Sequence, residues 1–455
     1  MANEFEVTIT SREIVKPSSP SIHLQEPYLL SCFDQLVPST YIPLIIFHSL
    51  ANANFDIYQV LDHAKSCLAD TLAVFYPISG RIQQNSIVHR FDAGVPFLVA
   101  RVTSTLSRFL ESHQHNGSNL NKLLPCRPFS QEPASPEGIP LMTFQMNIFA
   151  CGGIALGCGL CHKIGDSATG LAFARTWAAF FSGSRRRISR PDFISAASLF
   201  PPRSPMPPQY VSVIEKMWFR DYNFTTRRFF FSPESIASLR HLARGGTDAA
   251  STLLPTSVEA VSGFLWKCFI SASRAVSSTT RPSMLGLEVN LRKRTSSRTL
   301  ERAFGNLFWP ATAVVMPEQG TLPLEELVKL ISDAVAGFDE EYVKSLQGEE
   351  GFQNIARSLD ALQEMLEMEP DVLEIGSVCN LGLDQMDFGA GDPGMVTIGD
   401  VRAKFSNFVI LAEARLGKGI EAWMIIEEKR MGFMEQDREF LKYAVPITSL
   451  KMSKL

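Results

Sequence analysis

One stretch of this 455-residue chain, residues 151–181, constrains the fold more than any other. Apolar residues alternate between positions 154 and 162, which is the period of a β-strand and places His162 on the apolar face. From residue 171 onward, apolar residues recur every three or four positions, which predicts an amphipathic helix. The stretch therefore predicts a strand that turns into a helix, with His162 and Asp166 at the crossing.

Length and composition predict a soluble globular protein of two domains. The chain exceeds the roughly 250–300 residues at which a single core stops growing. A hydrophobic fraction of 45% and 32 Phe are ample for packed cores. The formal net charge of −4 gives no reason to expect a nucleic-acid partner.

A proline-rich segment suggests where the two domains meet. Residues 191–208 contain six Pro and little periodicity, which is typical of a crossover between domains. We therefore expect an N-terminal domain at 1–190, a crossover at 191–225 and a C-terminal domain at 226–455.

Periodicity predicts strands and helices in both halves. Strands are expected near residues 6–15, 41–47, 95–102, 141–148, 227–231, 287–291, 408–414 and 420–426. Helices are expected near residues 60–75, 233–243 and 257–271, and over one long polar amphipathic segment at 324–367.

Neither a membrane segment nor a bound cofactor is expected. The longest uncharged run, 141–161, has alternating polar residues and is broken by Gly152-Gly153, so it predicts two strands and a turn. The C-x-x-C-H pattern at 158–162 matches haem attachment, which would require an export route. The G-x-G-x-x-G pattern at 389–394 precedes a β-prone segment instead of a helix. The sequence predicts no metal site either. Its eight scattered Cys indicate reduced thiols.

His-x-x-x-Asp alone is a weak signal, but further motifs in order make the chain resemble the plant BAHD acyl-CoA-dependent acyltransferases over essentially its full length. The motifs are Asp34-Gln35, YPISGR at 76–81, CHKIGD at 161–166, Trp266-Lys267-Cys268, Asn290-Leu291-Arg292, Phe304-Gly305-Asn306, DFGAG at 387–391 and Gly419-Ile420-Glu421-Ala422-Trp423. Lys163, Asn290-Leu291-Arg292 and Lys16-Pro17-Ser18-Ser19-Pro20 look most like the branch that acylates alkaloids and related specialised metabolites.

The resemblance implies an α/β fold of two similar chloramphenicol-acetyltransferase-like domains, each a mixed sheet with helices, with a tunnel between them. It places His162 in the middle of the tunnel, with acyl-CoA entering from one face and a small-molecule acceptor from the other. It also implies a monomer. The expected reaction moves an acetyl, branched aliphatic or benzoyl group from acyl-CoA to a hydroxyl, or to an amine, of a metabolite such as an alkaloid.

The chemistry of imidazole supports His162 as the catalytic residue. Acyl transfer from a thioester to an alcohol needs a base that is neutral near pH 7, and imidazole has an ordinary pKa of about 6.5. The chain has no G-x-S-x-G elbow, so we expect direct transfer without an acyl-enzyme.

Other site residues are expected to support the site without taking part in the chemistry. The resemblance implies that Asp166 points away from the tunnel and pairs with Arg292. It also implies that the segment Asp387-Phe388-Gly389-Ala390-Gly391 holds a loop on the CoA side. Ala390 replaces the Trp of the family motif and Asp392 stands where a basic residue is common, which puts the order of this loop and the affinity for CoA in question.

Two other functions fit the same fold. The altered DFGAG motif would suit a ligand-binding protein that is catalytically weak or inactive. His162 could also serve a reaction other than transfer, such as elimination.

The sequence ends in Ser453-Lys454-Leu455, the tripeptide that a peroxisomal import receptor recognises. It predicts a peroxisomal location, with the cytosol as the alternative. A peroxisomal location would place the enzyme beside acyl-CoA from β-oxidation and favour branched aliphatic or benzoyl donors.

Overall fold

The structure is a computed structural model. It describes residues 5–19, 21–48, 56–112, 118–130, 138–184, 186, 188, 190–244, 254–277, 280–296, 298–383, 395–402, 404–414 and 418–447. The expectations for the DFGAG segment at 387–391, for Asp392 and for Ser453-Lys454-Leu455 lie outside the described residues.

The described chain alternates strands and helices. Its strands are β1 (Val7–Val15), β2 (Tyr28–Leu29), β3 (Tyr41–His48), β4 (Arg81–Gln83), β5 (Ile87–His89), β6 (Val95–Val102), β7 (Met142–Phe149), β8 (Ile154–Cys161), β9 (Phe224–Phe231), β10 (Ser283–Asn290), β11 (Phe308–Val315), β12 (Asp371–Ser377), β13 (Met395–Thr397), β14 (Phe408–Glu413), β15 (Ile420–Glu427) and β16 (Ala444–Pro446). Its helices are α1 (Cys32–Leu36), α2 (Ile57–Val74), α3 (Leu106–Ser112), α4 (Ser118–Asn121), α5 (Ser167–Phe181), α6 (Ser195–Leu199), α7 (Pro208–Trp218), α8 (Pro233–Leu242), α9 (Ser257–Val276), α10 (Leu324–Ala336), α11 (Glu340–Ser345), α12 (Gly348–Glu367), α13 (Glu428–Met434) and α14 (Arg438–Tyr443).

The strands build two large mixed sheets. In the described residues, the N-terminal sheet has six strands in the order β1-β6-β7-β8-β3-β13, of which only β6 and β7 run parallel. The C-terminal sheet has seven described strands in the order β11-β10-β12-β14-β15-β9-β16, with β10, β12 and β14 parallel. The predicted α/β class with two mixed sheets is confirmed.

Each sheet is covered by helices that bury large aromatic side chains. On the N-terminal sheet, α5 places Phe173 and Trp177 against Phe144 of β7. On the C-terminal sheet, α9 buries Phe264 and Trp266 in the core. Burial of an aromatic side chain of this kind contributes about 1.5–3 kcal/mol, so these contacts fix how each helix lies on its sheet.

The two halves of the chain are interwoven. Strand β13, at residues 395–397, belongs by sequence to the segment 226–455 but pairs with β3 of the N-terminal sheet. Within the segment 191–225, α7 buries Val213 and Met217 in a core that it shares with the C-terminal sheet. These contacts hold the two sheets in a defined relation to each other.

Two predicted elements differ in their limits. The strand before the predicted catalytic residue ends at Cys161, so His162 does not continue the apolar face of β8 but begins a short 3₁₀ turn that ends at Ile164. The long helical segment at 324–367 is three helices. It breaks at Gly337, after which Asp339 caps α11, and again at Leu346 and Gln347, just before α12 begins at Gly348, whose φ of +72° lies in the left-handed region.

No helix in the described ranges combines the length and the apolar character that a membrane crossing requires. The same ranges contain no cluster of three or more His, Cys, Asp or Glu side chains placed to hold a metal ion.

Candidate active site

His162 is held at the end of β8, where the N-terminal sheet faces the C-terminal sheet. Its backbone N–H donates to the carbonyl oxygen of Thr40, at 2.7 Å, just before β3 begins. Its ring lies between those of Trp218 and Phe308, with centroid distances of 5.1 and 5.7 Å. His162 lines a cavity of about 120 Å³, which also contains side chains of β10, β12 and β14 and which we call the central cavity.

Asn306 fixes the tautomer of His162. The Asn306 Nδ2 group donates to the carbonyl oxygen of His162, at 2.8 Å, and to Asp34 Oδ1, also at 2.8 Å. Both neighbours are acceptors, so the amide oxygen must face the imidazole, where it lies 3.1 Å from Nδ1. His162 therefore carries its proton on Nδ1, and Nε2 is left with the lone pair that a general base needs.

Asp34 and Gly305 hold Asn306 in this orientation. The Asp34 carboxylate is fully buried and accepts from the backbone and side chain of Asn306 and from the backbone and side chain of Ser31. Gly305 has a φ of +113°, and a Cβ there would lie 3.1 Å from both Asp34 oxygens. Glycine is required at this position by both its backbone conformation and its contact.

Burial keeps His162 neutral. It lowers the pKa of His162 below its ordinary value, and this effect outweighs the opposite influence of its own carbonyl group, of Asp166 and of Asn306. A neutral imidazole at neutral pH can accept a proton.

Asp166 and Arg292 form a buried joint between the sheets. Arg292 Nη1 lies 2.6 Å from Asp166 Oδ2, and their side chains are 7% and 10% exposed. The Asp166 carboxylate also accepts from the backbone N–H groups of Thr169 and Leu307. It therefore caps the N-terminus of α5 and also binds the residue that precedes β11. Arg292 in turn donates to the carbonyl oxygens of Ala303 and Gly305.

The electrostatics of Asp166 fit this structural position. Burial alone would raise its pKa, but the charge and hydrogen bonds of Arg292 and the two backbone N–H groups outweigh burial and hold the pKa below its ordinary value. Its hydrogen bonds in the described structure go to Arg292, Thr169 and Leu307, and none goes to His162. The structure thus pairs Asp166 with Arg292 instead of with the imidazole, although Asp166 also lines the central cavity.

Lys163 ties the Asp34-Gln35 segment to the turn that carries His162. Its buried ammonium group donates to the carbonyl oxygen of Gln35, at 3.1 Å, and to Asn85 Oδ1, at 2.8 Å. Burial lowers the pKa of Lys163 to about 8. This lysine therefore packs α1 against the active-site turn.

Two further cavities adjoin the central one. A cavity of about 490 Å³, which we call the basic cavity, shares Ala168, Asn290 and Leu381 with it. A smaller apolar cavity of about 30 Å³ shares Trp218, Glu288 and Phe308 with it on the other side. His162 therefore lies along a series of spaces between the two sheets, which fits the tunnel expected from the resemblance.

Sequence reasoning assigned no role to several residues of this site. Asp34 and Asn306 lie in recognised motifs, but nothing in their spacing shows that they act on His162. Glu288 of the central cavity is the one acid of its strand, SMLGLEVN, and Glu374 stands between apolar residues in DVLEIGS, where the other acid, Asp371, is at the strand's first position. That isolated charge is the sequence signal that could have drawn attention to them.

Comparison with known proteins agrees with this geometry. The Transferase family matches residues 5–441. The chain is 31% identical to akuammiline synthase 2 of Alstonia scholaris over 449 residues, with 97% of each chain covered. It is 33% identical to a limonoid 7-O-acetyltransferase of Citrus sinensis over 458 residues, which cover 97% of this chain and 98% of the relative.

Solved structures share the fold. The crystal structure of vinorine synthase matches with a TM-score of 0.80 and 27% identity over 98% of this chain and 100% of the other. That of TRI101 from F. sporotrichioides with coenzyme A and T-2 matches with a TM-score of 0.69 and 16% identity over 93% of this chain and 100% of the other, which shows the fold alone. The chain belongs to the Transferase family, the BAHD family of acyl-CoA-dependent acyltransferases.

Proposed function

We propose that this protein transfers an acyl group directly from acyl-CoA to a hydroxyl group of a specialised metabolite, with His162 as the general base. One observation carries the proposal. Asn306 leaves Nε2 of a neutral His162 as the free acceptor, and His162 lines a cavity that is connected to a larger cationic one.

The basic cavity suits the CoA portion of the donor. Four cationic side chains line it besides the paired Arg292, namely Arg175, Lys293, Arg298 and Arg302. Arginine and lysine are the residues that bind phosphate groups, and CoA carries several. Because this cavity meets the central one at Ala168 and Asn290, CoA bound there would extend its thioester toward His162.

The reaction follows from the protonation state of His162. Nε2 takes the proton of the acceptor hydroxyl as its oxygen attacks the thioester carbonyl. The tetrahedral intermediate collapses, the C–S bond breaks, and the imidazolium returns the proton to the CoA thiolate. The products are an ester and free CoA, and no residue of the protein becomes acylated.

The relatives suggest which substrates to test. The names of two relatives state acetyl transfer to limonoid or stemmadenine oxygen. Large apolar surfaces surround the reacting groups here, including Ile42, Phe129, Val378 and Phe405. We infer a bulky polycyclic acceptor, such as an alkaloid or a limonoid, and an acetyl, branched aliphatic or benzoyl donor.

The proposal is tested by incubation with acetyl-CoA, isobutyryl-CoA and benzoyl-CoA and a panel of polycyclic alcohols, with free thiol and product mass as readouts. Thiol release that requires an acceptor, with the matching ester formed, supports transfer. Release without an acceptor would indicate hydrolysis. No release with any pair would contradict the proposal and favour a ligand-binding protein.

The dependence of kcat/KM on pH should reflect the buried imidazole. A base must be neutral to accept a proton, so activity is lost as pH falls through the pKa of His162. Because burial lowers that pKa below the ordinary value of about 6.5, we expect the midpoint of the fall in kcat/KM to lie below pH 6.5. A decline centred above pH 7 would contradict a buried neutral base.

Asn306→Leu should impair His162 without removing it. The variant loses the acceptor that holds the Nδ1 proton, and we expect kcat to fall about 10- to 100-fold with little change in the KM for acyl-CoA. The hydrogen bond from His162 to Asn306 also raises the pKa of His162, so the acidic limb of the kcat/KM profile should move to lower pH. An unchanged kcat and acidic limb would show that Asn306 does not position the base.

A further inference from the structure

Two glutamates of the C-terminal sheet project into the central cavity and have no part in the mechanism above. Glu288 lies on β10 and Glu374 on β12, and the parallel register pairs Glu374 with Gly286. Side chains alternate between the two faces of a strand, so Glu288 and Glu374 lie on the same face, diagonally across the strand pair. Both line the cavity that contains His162.

A glycine of the neighbouring strand packs beside each of the two glutamates. A Cβ at Gly286 would lie 3.7 Å from Glu374 Cγ, and a Cβ at Gly376 would lie 3.9 Å from Glu288 Cγ and 3.2 Å from Cζ of Phe408. Each glutamate thus has a glycine next to it on the neighbouring strand, and a side chain at Gly376 would press on the Phe408 ring. The space available to a ligand is the central cavity of about 120 Å³, which both acids line.

The two carboxyl groups lack partners in the described structure. Glu374 is 2% exposed, and its Oε1 has no hydrogen bond there; neither does the buried Oε2 of Glu288. The charge of Arg220 acts on Glu374, but within the described ranges no basic side chain comes within 4.0 Å of either acid. A buried carboxyl group without a partner is costly, so a ligand that supplies donors and positive charge would be favoured.

Burial favours the neutral form of both acids. Burial raises the pKa of Glu288 to about 8. Burial and then the charge of Glu288 raise the pKa of Glu374 well above its ordinary value, and Arg220 only partly opposes this. A cation between them would favour the ionised form of both.

Aromatic rings complete the surroundings. The central cavity is also lined by Phe129, Trp218, Phe308, Phe405 and Phe408. The faces of aromatic rings attract ammonium groups, most strongly where water is excluded. Carboxylates combined with several aromatic rings are the chemistry that recognises a protonated amine.

We propose that Glu288 and Glu374 form a binding site for the protonated amine of the acceptor, so that the enzyme selects amino alcohols over neutral alcohols of the same shape. The inference rests on the proposed function, since it identifies the class of acceptor. The amine N–H group donates to the unpartnered carboxylate oxygens, the rings of the cavity surround the alkyl groups, and the hydroxyl of the same molecule is presented to His162.

Calorimetry with two rigid probes tests the site apart from catalysis. One is quinuclidinol, a tertiary amino alcohol that is protonated at neutral pH. The other is the bicyclooctanol in which CH replaces the bridgehead nitrogen. Both are titrated into the full-length protein without acyl-CoA. We expect quinuclidinol to bind at least tenfold more tightly, because only it carries the charge.

Isosteric variants locate the effect. Glu374→Gln and Glu288→Gln should each weaken quinuclidinol binding by about tenfold or more, with less than a threefold effect on the neutral probe. Glu413→Gln is the matched control, since this exposed residue at the end of β14 makes the same change in charge outside the cavity. Circular dichroism and the melting temperature verify that each variant is folded.

Several results would contradict the proposed amine-binding site. They are equal binding of the two probes by the wild-type protein, no binding of quinuclidinol at all, or a preference for the amine that both glutamine variants retain. Acyl transfer and amine binding can fail independently. If no acceptor causes thiol release from acetyl-CoA although quinuclidinol still binds, the proposed function is wrong and the amine-binding site is not. Retained transfer to neutral alcohols by Glu374→Gln, together with lost transfer to amino alcohols, would support both proposals.

Discussion

The variant His162→Ala loses acyl transfer and keeps its fold. Removal of a general base slows a reaction of this kind by about 10²–10⁴-fold. The variant also loses the hydrogen bond between Nδ1 and Asn306, so its free energy of unfolding should fall by only about 1 kcal/mol. Stopped-flow or plate assays of thiol release give the rate, and thermal unfolding gives the stability.

A surface histidine provides the control. His241→Ala removes the same side chain from an exposed position on α8 that lines none of the three cavities, and should retain wild-type turnover. Near-wild-type turnover by His162→Ala would contradict the mechanism. A large loss of stability in His162→Ala would show that the residue is needed for folding and would require a milder variant, His162→Gln, to separate the two effects.

The variant Asp166→Asn should be strongly destabilised. It leaves the Arg292 guanidinium group, which is 7% exposed, buried without a counter-charge. Breaking a buried ion pair in this way costs about 3–5 kcal/mol. The pKa of Asp166 is lowered in the folded state, so its contribution is present above about pH 4 and is lost as pH falls through the folded-state pKa. The difference between wild type and variant should therefore shrink in acid, as measured by urea unfolding at several pH values.

A double-mutant cycle tests whether the two residues act as one joint. We expect Asp166→Asn combined with Arg292→Met to be less destabilised than the sum of the single variants, since no buried charge remains unpaired. Asp221→Asn is the control, because this aspartate pairs with Lys404 on the surface, where the side chains are 82% and 65% exposed, and its loss should cost less than about 1 kcal/mol. Additive losses at Asp166 and Arg292 would contradict a shared role.

Local pattern was sufficient for most secondary structure. The strand at 95–102 was predicted with its observed limits, and the helix that follows His162 was predicted because its apolar residues repeat every three to four positions. The breaks in the segment 324–367 were missed because glycine and capping residues interrupt a helix without disturbing its apolar period.

The sequence also predicts His162 as the base, because an imidazole stands in a motif that, together with further motifs in order, resembles the family. The sequence does not predict the amide that fixes the tautomer of His162. Asn306 is 144 residues from His162 and 272 from Asp34, so their hydrogen bonds exist only after the two sheets meet.

The sequence by itself determined the α/β class and the helix capped by Asp166, because the periods of strands and helices depend on neighbours along the chain, and its ordered motifs predicted His162 as the base. The tertiary structure alone decided the tautomer of His162 and the meeting of Glu288 with Glu374. The register of β10 against β12 brings Glu288 and Glu374 together, and burial raises the pKa of Glu288. Strand register and burial are properties of the packed sheets, and no short pattern in the chain encodes either one.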